Sequence, residues 1–269
     1  MKKAGHSFCH PAALTIAGSD CSGGAGLEAD LKTFAAHRVY GMAAVTCVVA
    51  ETPQRVVSIH ATPAKTVREQ IACCLAGMPP VAVKTGMLFS REIINSCADE
   101  IARFQRHISH VVVDPVMVAT SGKRLLKNDA IHALTKLIGE AADLATPNLD
   151  EAEILAGQRI RNRADMEKAS RIMASRFSCA VLLKGGHLKN LRTALDYLWD
   201  GQRGLWLEAP RIRDIATHGT GCTYSSAIAA NLALGHPLPQ AVRCAKTFIT
   251  RAIRKSLHFG TWSALGHSV

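Results

Sequence analysis

A chemically suggestive run stands late in the chain: Thr217-His218-Gly219-Thr220-Gly221-Cys222-Thr223, followed by apolar and small residues over 224–234. Glycines at 219 and 221 let a loop turn with its N–H groups aimed one way, and a helix starting behind them adds partial positive charge. Such an arrangement holds anions. Cys222 then sits in the first turn of that helix, where a thiolate is favoured and serves as base or nucleophile. The same residues also read as a glycine-rich helix entry whose cysteine only packs, and this run alone does not decide between the two.

Further candidates lie where short apolar runs end. Lys84-Thr85-Gly86-Met87, Asp114-Pro115-Val116-Met117 and Thr146-Pro147-Asn148-Leu149-Asp150-Glu151 each follow such a run. Carboxylates at Asp114 and Glu151, with the Asn148 amide one helical turn before Glu151, can hold Mg²⁺ beside phosphates, directly or through water. Each has a plainer reading, since an aspartate ending a strand is often a turn residue and asparagine is a good helix cap. Gly18-Ser19-Asp20-Cys21-Ser22-Gly23-Gly24-Ala25-Gly26 follows the first apolar run, and its glycines permit close backbone approach to a ligand. It is not a P-loop, because no Lys-Ser or Lys-Thr follows Gly23. The GxGxxA match at Gly24-Ala25-Gly26-Leu27-Glu28-Ala29 begins too far beyond residue 17 for the tight turn of a dinucleotide site. An anion hole together with metal-capable carboxylates makes phosphoryl transfer the economical chemistry, because that reaction is largely positioning and charge neutralisation.

Positioning these groups takes a sheet. Residues 12–17 and 42–50 read as buried strands, with a helix over 27–37 between them whose Leu27, Leu31 and Phe34 share a face. Thr62 and Pro63 read as an N-cap and a proline at the first helical position, opening a helix through residue 76. Strands follow at 81–85, 110–114, 144–146 and 180–184, with helices at 91–106, 130–140, 148–155 and 164–177. Residues 194–199 and 205–208 read as a hairpin around Asp200-Gly201, and helices at 221–234 and 238–256 close the chain. Near-continuous apolar strands alternating with helices predict an α/β fold, one domain over 1–269 with a mostly parallel sheet covered on both faces. In such sheets ligands collect beyond the C-terminal ends of the strands, where the candidate groups fall.

Composition limits the alternatives. A chain of 269 residues can bury about three quarters of its unfolded surface and needs no disulfides. Its nine cysteines form no CxxC pair and lie mostly among apolar residues, which points to a reducing cytoplasm. Residues 12–17 are too short for a signal peptide core, follow His10-Pro11, and lead into Gly18-Ser19-Asp20. No stretch reaches the ~18 apolar residues of a membrane helix. The formal net charge of +11 is spread over small clusters such as Arg159, Arg161 and Arg163, without interleaved aromatics or a basic tail. That pattern fits a solvated basic face and the steering of anionic small molecules better than a nucleic-acid footprint.

Together these motifs resemble the hydroxymethylpyrimidine and phosphomethylpyrimidine kinases of thiamin biosynthesis, in the ribokinase-like superfamily. The resemblance runs over residues 12–256 and rests on the runs at 13–20, 22–26, 29–34, 84–88, 114–117, 146–149, 184–187 and 218–223. It implies a three-layer α/β/α sandwich that uses ATP and Mg²⁺ to phosphorylate 4-amino-5-hydroxymethyl-2-methylpyrimidine and then its monophosphate. Gly18, Ala25, Asp30, Glu51 and Met87 would line the pyrimidine pocket, and Asp114 and Glu151 would manage Mg²⁺ and phosphates. Gly219, Thr220 and Gly221 would hold the transferred group, with Cys222 as base for the hydroxymethyl oxygen. Lys184, Thr220 and Lys246 would face ATP, although Lys246 also reads as a surface charge on the last helix. The expected partners are these small molecules, without nucleic acid or membrane, in a homodimer.

One position departs from the pattern. The family usually has Ala-Gln-Asn-Thr after the second strand, its glutamine reading the aminopyrimidine, whereas Ala50-Glu51-Thr52-Pro53 stands here. Pyridoxal kinases also vary at this point and are the alternative. Against them, some carry a second cysteine in the lid where this chain has Ala119-Thr120-Ser121-Gly122. A basic binding protein that kept the fold without catalysis would need a broken anion hole or lost carboxylates, and neither is broken.

Overall fold

Successive residues of the central strands feed two different cores. In the strand Ala180–Lys184, Val181 and Leu183 enter one hydrophobic cluster while Ala180 and Leu182 enter the other. His110–Val113 does the same, with Val111 and Val113 on one side and Val112 on the other. A period of two with both faces apolar gives the near-continuous hydrophobic runs of a sheet covered on both sides.

The computed structural model describes residues 10–52, 55–117, 128–186, 188, 193–212, 218–260 and 262–268. In chain order the elements are β1 (Ala12–Asp20), α1 (Gly26–Ala36), β2 (Tyr40–Thr52), β3 (Arg55–Ala61), α2 (Ala64–Gly77), β4 (Ala82–Thr85) and α3 (Arg91–Arg103). Then come β5 (His110–Val113), α4 (Asn128–Ala141), β6 (Leu144–Ala145), α5 (Leu149–Ala156), α6 (Arg163–Phe177), β7 (Ala180–Lys184), β8 (Thr193–Trp199) and β9 (Gly204–Pro210). The last are α7 (Thr220–Ala233), α8 (Leu238–Arg254), β10 (Leu257–Phe259) and β11 (Trp262–Ala264). One nine-stranded sheet runs β3-β2-β1-β4-β5-β6-β7-β8-β9. Its centre is parallel, and β3, β8 and β9 are antiparallel additions at the two edges. Helices α2 to α6 cover one face, while α1, α7 and α8 cover the other, which makes three layers.

Register brings the candidate residues to one edge. Ile16 pairs with Thr85, Thr85 with Val113, and Val113 with Ala145, so Gly86, Asp114 and Thr146 leave the sheet together, beside Gly18 of β1. Between Ala17 and Ser19 the pairing of β1 with β2 slips. A Cβ on Gly18 would lie 2.8 Å from the Cys47 sulfur, so this irregularity requires glycine. The run at 12–17, weighed above against a signal peptide, is the inner part of β1.

The predicted alternation holds, with shifted helix ends and two elements that the sequence did not show. Pro63 caps α2 instead of opening it, so the helix starts one residue late. Thr220, not Gly221, opens α7. The edge strand β3 and the β10–β11 hairpin were absent from the prediction. Both are largely exposed and mix polar with apolar residues, so neither gives a buried-strand signal. Ala119-Thr120-Ser121-Gly122, Pro53, His187 and Thr217 lie outside the described residues.

Candidate active site

A cavity of about 840 Å³ opens at this C-terminal edge. Of the residues singled out in the sequence, Gly18, Ala25, Glu51, Met87, Asp114, Glu151, Lys184, Gly219, Thr220, Gly221, Cys222 and Lys246 all line it. Asp30 does not.

At one end, Asp20 organises the turn after β1. Its carboxylate accepts from the Ser22 N–H at 2.7 Å, the Ser22 hydroxyl at 2.8 Å and the Ala25 N–H at 2.8 Å, and it pairs with His218 Nε2 at 2.9 Å. Burial pushes Asp20 up, but the bonds from His218, Ser22 and Ala25 outweigh it and hold the group at about 2. His218 answers in the other direction: burial disfavours its charged form, and Asp20 more than offsets that and raises it. Glu51, near the end of β2, faces the cavity beside this pair. Burial first, then Asp20, push its carboxyl up, with His218 opposing. One ligand atom each of Asp20, Glu51 and His218 lies within 4.8 Å of the others, so the charges of the three act on one another.

At the other end, the Asp114 carboxylate spreads its load. Oδ1 accepts from Lys184 Nζ at 2.8 Å and Thr146 Oγ1 at 3.1 Å, while Oδ2 accepts from Ser225 Oγ at 3.1 Å. Burial raises Asp114, and the Lys184 and Lys84 charges bring it below its ordinary value. Glu151 and Asn148 close a reciprocal cap on α5: Asn148 Oδ1 accepts from the Glu151 N–H at 2.9 Å, and Glu151 Oε2 from the Asn148 N–H at 2.8 Å. The capping reading of Asn148 is therefore the observed one. Burial pushes Glu151 up to about 7, against the pull of Lys184. Lys246 is not a surface charge. It is half-buried and donates to Asp196 at 2.6 Å, and Asp196 in turn accepts from the Gly185 N–H at 3.1 Å.

Asp30 lies behind the cavity wall and is fully buried. It accepts from Thr15 Oγ1 at 2.5 Å, Ser226 Oγ at 2.6 Å, and Lys84 Nζ at 3.0 and 2.8 Å to its two oxygens. Its role is to neutralise Lys84, and loss of either partner would strand a buried charge at a cost of about 3–5 kcal/mol. A second correction concerns Cys222. It does sit in the first turn of α7, yet burial pushes its thiol up to about 11, with Lys84 pulling down and Asp30 and Asp114 pushing further up. Desolvation of the thiolate outweighs the helix N-terminus.

The comparisons with known proteins decide what this arrangement belongs to. A family model described as phosphomethylpyrimidine kinase matches residues 20–267. The chain belongs to that family. A hydroxymethylpyrimidine/phosphomethylpyrimidine kinase of Synechococcus elongatus is 42% identical over 96% of this chain and 97% of its own length. Among solved structures, a phosphomethylpyrimidine kinase from Clostridium difficile 630 superposes with a TM-score of 0.81 at 39% identity, over 90% of this chain and 99% of its own. Bacillus subtilis pyridoxal kinase, solved as an ADP complex, gives a TM-score of 0.88 at 37% identity, over 96% and 98%. As a member of the phosphomethylpyrimidine kinase family the chain is a phosphotransferase that uses ATP. Among the described residues, no helix is long and apolar enough to cross a membrane.

The kinase site has members to which the sequence assigned no role. Asp20 and Asp196 line it and hold His218 and Lys246, Ser225 donates to Asp114, and Lys84 pairs with Asp30 behind the wall. Asp196 did leave a trace, as the lone charge inside the otherwise apolar run of β8. The anion loop is tied across the cavity mouth: Gly219 has φ 76° and caps α7, and a Cβ there would lie 1.8 Å from the Gly24 carbonyl oxygen. Gly219→Ala is therefore expected to cost about 2 kcal/mol or more in backbone strain alone. Thermal unfolding checks this, and a melting temperature equal to that of the parent would refute the close approach.

Proposed function

We propose that the protein phosphorylates the hydroxymethyl oxygen of 4-amino-5-hydroxymethyl-2-methylpyrimidine and then the resulting monophosphate, with ATP as donor, in thiamin biosynthesis. The observation that carries this reading is that Gly18, Ala25, Glu51 and Met87 line the same cavity as the start of α7; we assign the first four to the acceptor and the helix start to the phosphate. The N-terminus of that helix carries partial positive charge and favours anions. Lys184 faces the same space and adds a cation to the charge that develops on the transferred group. Cys222 lines the same cavity and is assigned here to the acceptor oxygen. We place the enzyme in the reducing cytoplasm as a homodimer.

The carboxylates suit a hard cation such as Mg²⁺. Asp114 already receives Lys184, Thr146 and Ser225, and Glu151 receives the Asn148 N–H, so they fit a cation held through its water shell. When bound, the cation would neutralise phosphate charge. Glu151→Gln keeps an acceptor for the Asn148 N–H but loses the negative charge. Its half-saturating Mg²⁺ concentration is expected to rise about tenfold with little change in melting temperature. Unchanged turnover at limiting Mg²⁺ would remove Glu151 from this role.

A second reading, pyridoxal phosphorylation, is supported by the similarity to Bacillus subtilis pyridoxal kinase and by Glu51, which departs from the glutamine of the pyrimidine kinases. ATP consumption measured separately with hydroxymethylpyrimidine, its monophosphate and pyridoxal separates the two. Turnover of the first two supports the pyrimidine reading, and turnover of pyridoxal alone replaces it.

A further inference from the structure

The cations that line the cavity are Lys184, Lys246, His218 and Arg211. Three of them are already neutralised within the protein: Lys184 by Asp114 at 2.8 Å, Lys246 by Asp196 at 2.6 Å, and His218 by Asp20 at 2.9 Å. The remaining lining carboxylates, Glu51, Asp150 and Glu151, add only negative charge. A polyanionic nucleotide entering such a cavity meets cations that already hold a carboxylate partner. Arg211 is different.

Arg211 follows directly on β9 and lines the cavity, as do Asp196 of β8 and Lys246 of α8. One guanidinium nitrogen, Nη2, donates to the Leu188 carbonyl at 2.9 Å, which fixes the plane of the group. Among the described residues no carboxylate pairs with it, and its buried Nε has no hydrogen-bond partner. A buried donor left unmade is costly, and arginine presents its N–H groups as a fork that matches phosphate oxygens two at a time. We propose that Arg211 binds the phosphate groups of the nucleotide, taking their oxygens on the Nε side of its guanidinium while the Leu188 carbonyl holds the other side. This rests on the phosphoryl-transfer reading of the cavity and adds a binding residue to it.

The test is calorimetric titration of ADP into the full-length protein and into Arg211→Met and Arg211→Lys, with the acceptor monophosphate KM and the melting temperature measured alongside. A charge-assisted contact predicts roughly tenfold to hundredfold weaker ADP binding in the Met variant. The Lys variant, which keeps the charge without the fork, should fall between the two, and the monophosphate KM should stay within about twofold. The proposal is overturned if the Met variant binds ADP as the parent does. It is equally overturned if only the monophosphate KM rises, or if Lys restores nothing and both variants melt lower together. A parent protein that binds no ADP would instead overturn the phosphoryl-transfer reading itself.

Discussion

Cys222→Ala is expected to slow phosphorylation of the alcohol acceptor about a hundredfold while leaving that of the monophosphate within a few-fold. The alcohol must lose its proton as the new bond forms, and a positioned base contributes roughly 10²–10⁴ to such a step. The monophosphate oxygen is already anionic near neutral pH and needs no base. Because burial pushes the Cys222 thiol up to about 11, the thiolate is scarce at neutral pH, and this puts the effect at the lower end of that range. The same value gives the sign of a pH test. Below the thiol pKa the thiolate fraction grows tenfold per unit, so alcohol turnover in the parent should climb with pH from neutrality upward, and Cys222→Ala should remove the climb. Initial rates on both acceptors across pH 6.5 to 9 measure this. Equal losses on the two acceptors, with the slope intact, would leave Cys222 only a shaping role in the anion loop.

That example also marks what the sequence can and cannot carry. The loop at 218–222, the strand ends at Asp114 and Lys184, and the Glu151 cap were legible because each is a local pattern: glycines beside a helix start, a charge closing an apolar run, an Asn three residues before a Glu. The alternation of strands and helices was legible for the same reason. The Cys222 pKa was not, because helix position is local whereas desolvation depends on Lys84, Asp30 and Asp114, which come from three other parts of the chain. Asp30 fails in the same way. Its motif placed it near the substrate, but Thr15, Lys84 and Ser226 converge on it from β1, β4 and α7 and enclose it behind the wall. Long-range ion pairs such as Lys246 with Asp196 leave only half a signal, a lone acid in an apolar strand, with nothing to name its partner. The edge strand β3 was missed because one exposed side and a bare rim give no hydrophobic period.

Glu51 is where proton position should govern specificity. A glutamine there offers one donor and one acceptor, matching the ring nitrogen and exocyclic amino group of an aminopyrimidine, whereas an ionised glutamate only accepts. An ionised Glu51 would set its lone pairs against that of the ring nitrogen, and partial exclusion of water sharpens the repulsion. Burial and the neighbouring Asp20 push the Glu51 carboxyl up, which favours the neutral acid and restores the donor–acceptor pair. The sign follows directly: the protonated form prevails below the Glu51 pKa and is lost as pH rises through it. The KM for hydroxymethylpyrimidine should therefore rise about tenfold per pH unit above that point, on the order of a hundredfold over two units. His218 is also raised and interacts with Glu51, so the slope alone does not assign the proton. Glu51→Gln does, because an amide carries its donor at every pH. The variant should keep pyrimidine turnover with a KM that is flat over the same interval. A slope that survives in Glu51→Gln would move the proton to His218 or to the ring. A variant that loses pyrimidine turnover, from a parent that prefers pyridoxal, would replace the thiamin-pathway reading with pyridoxal phosphorylation.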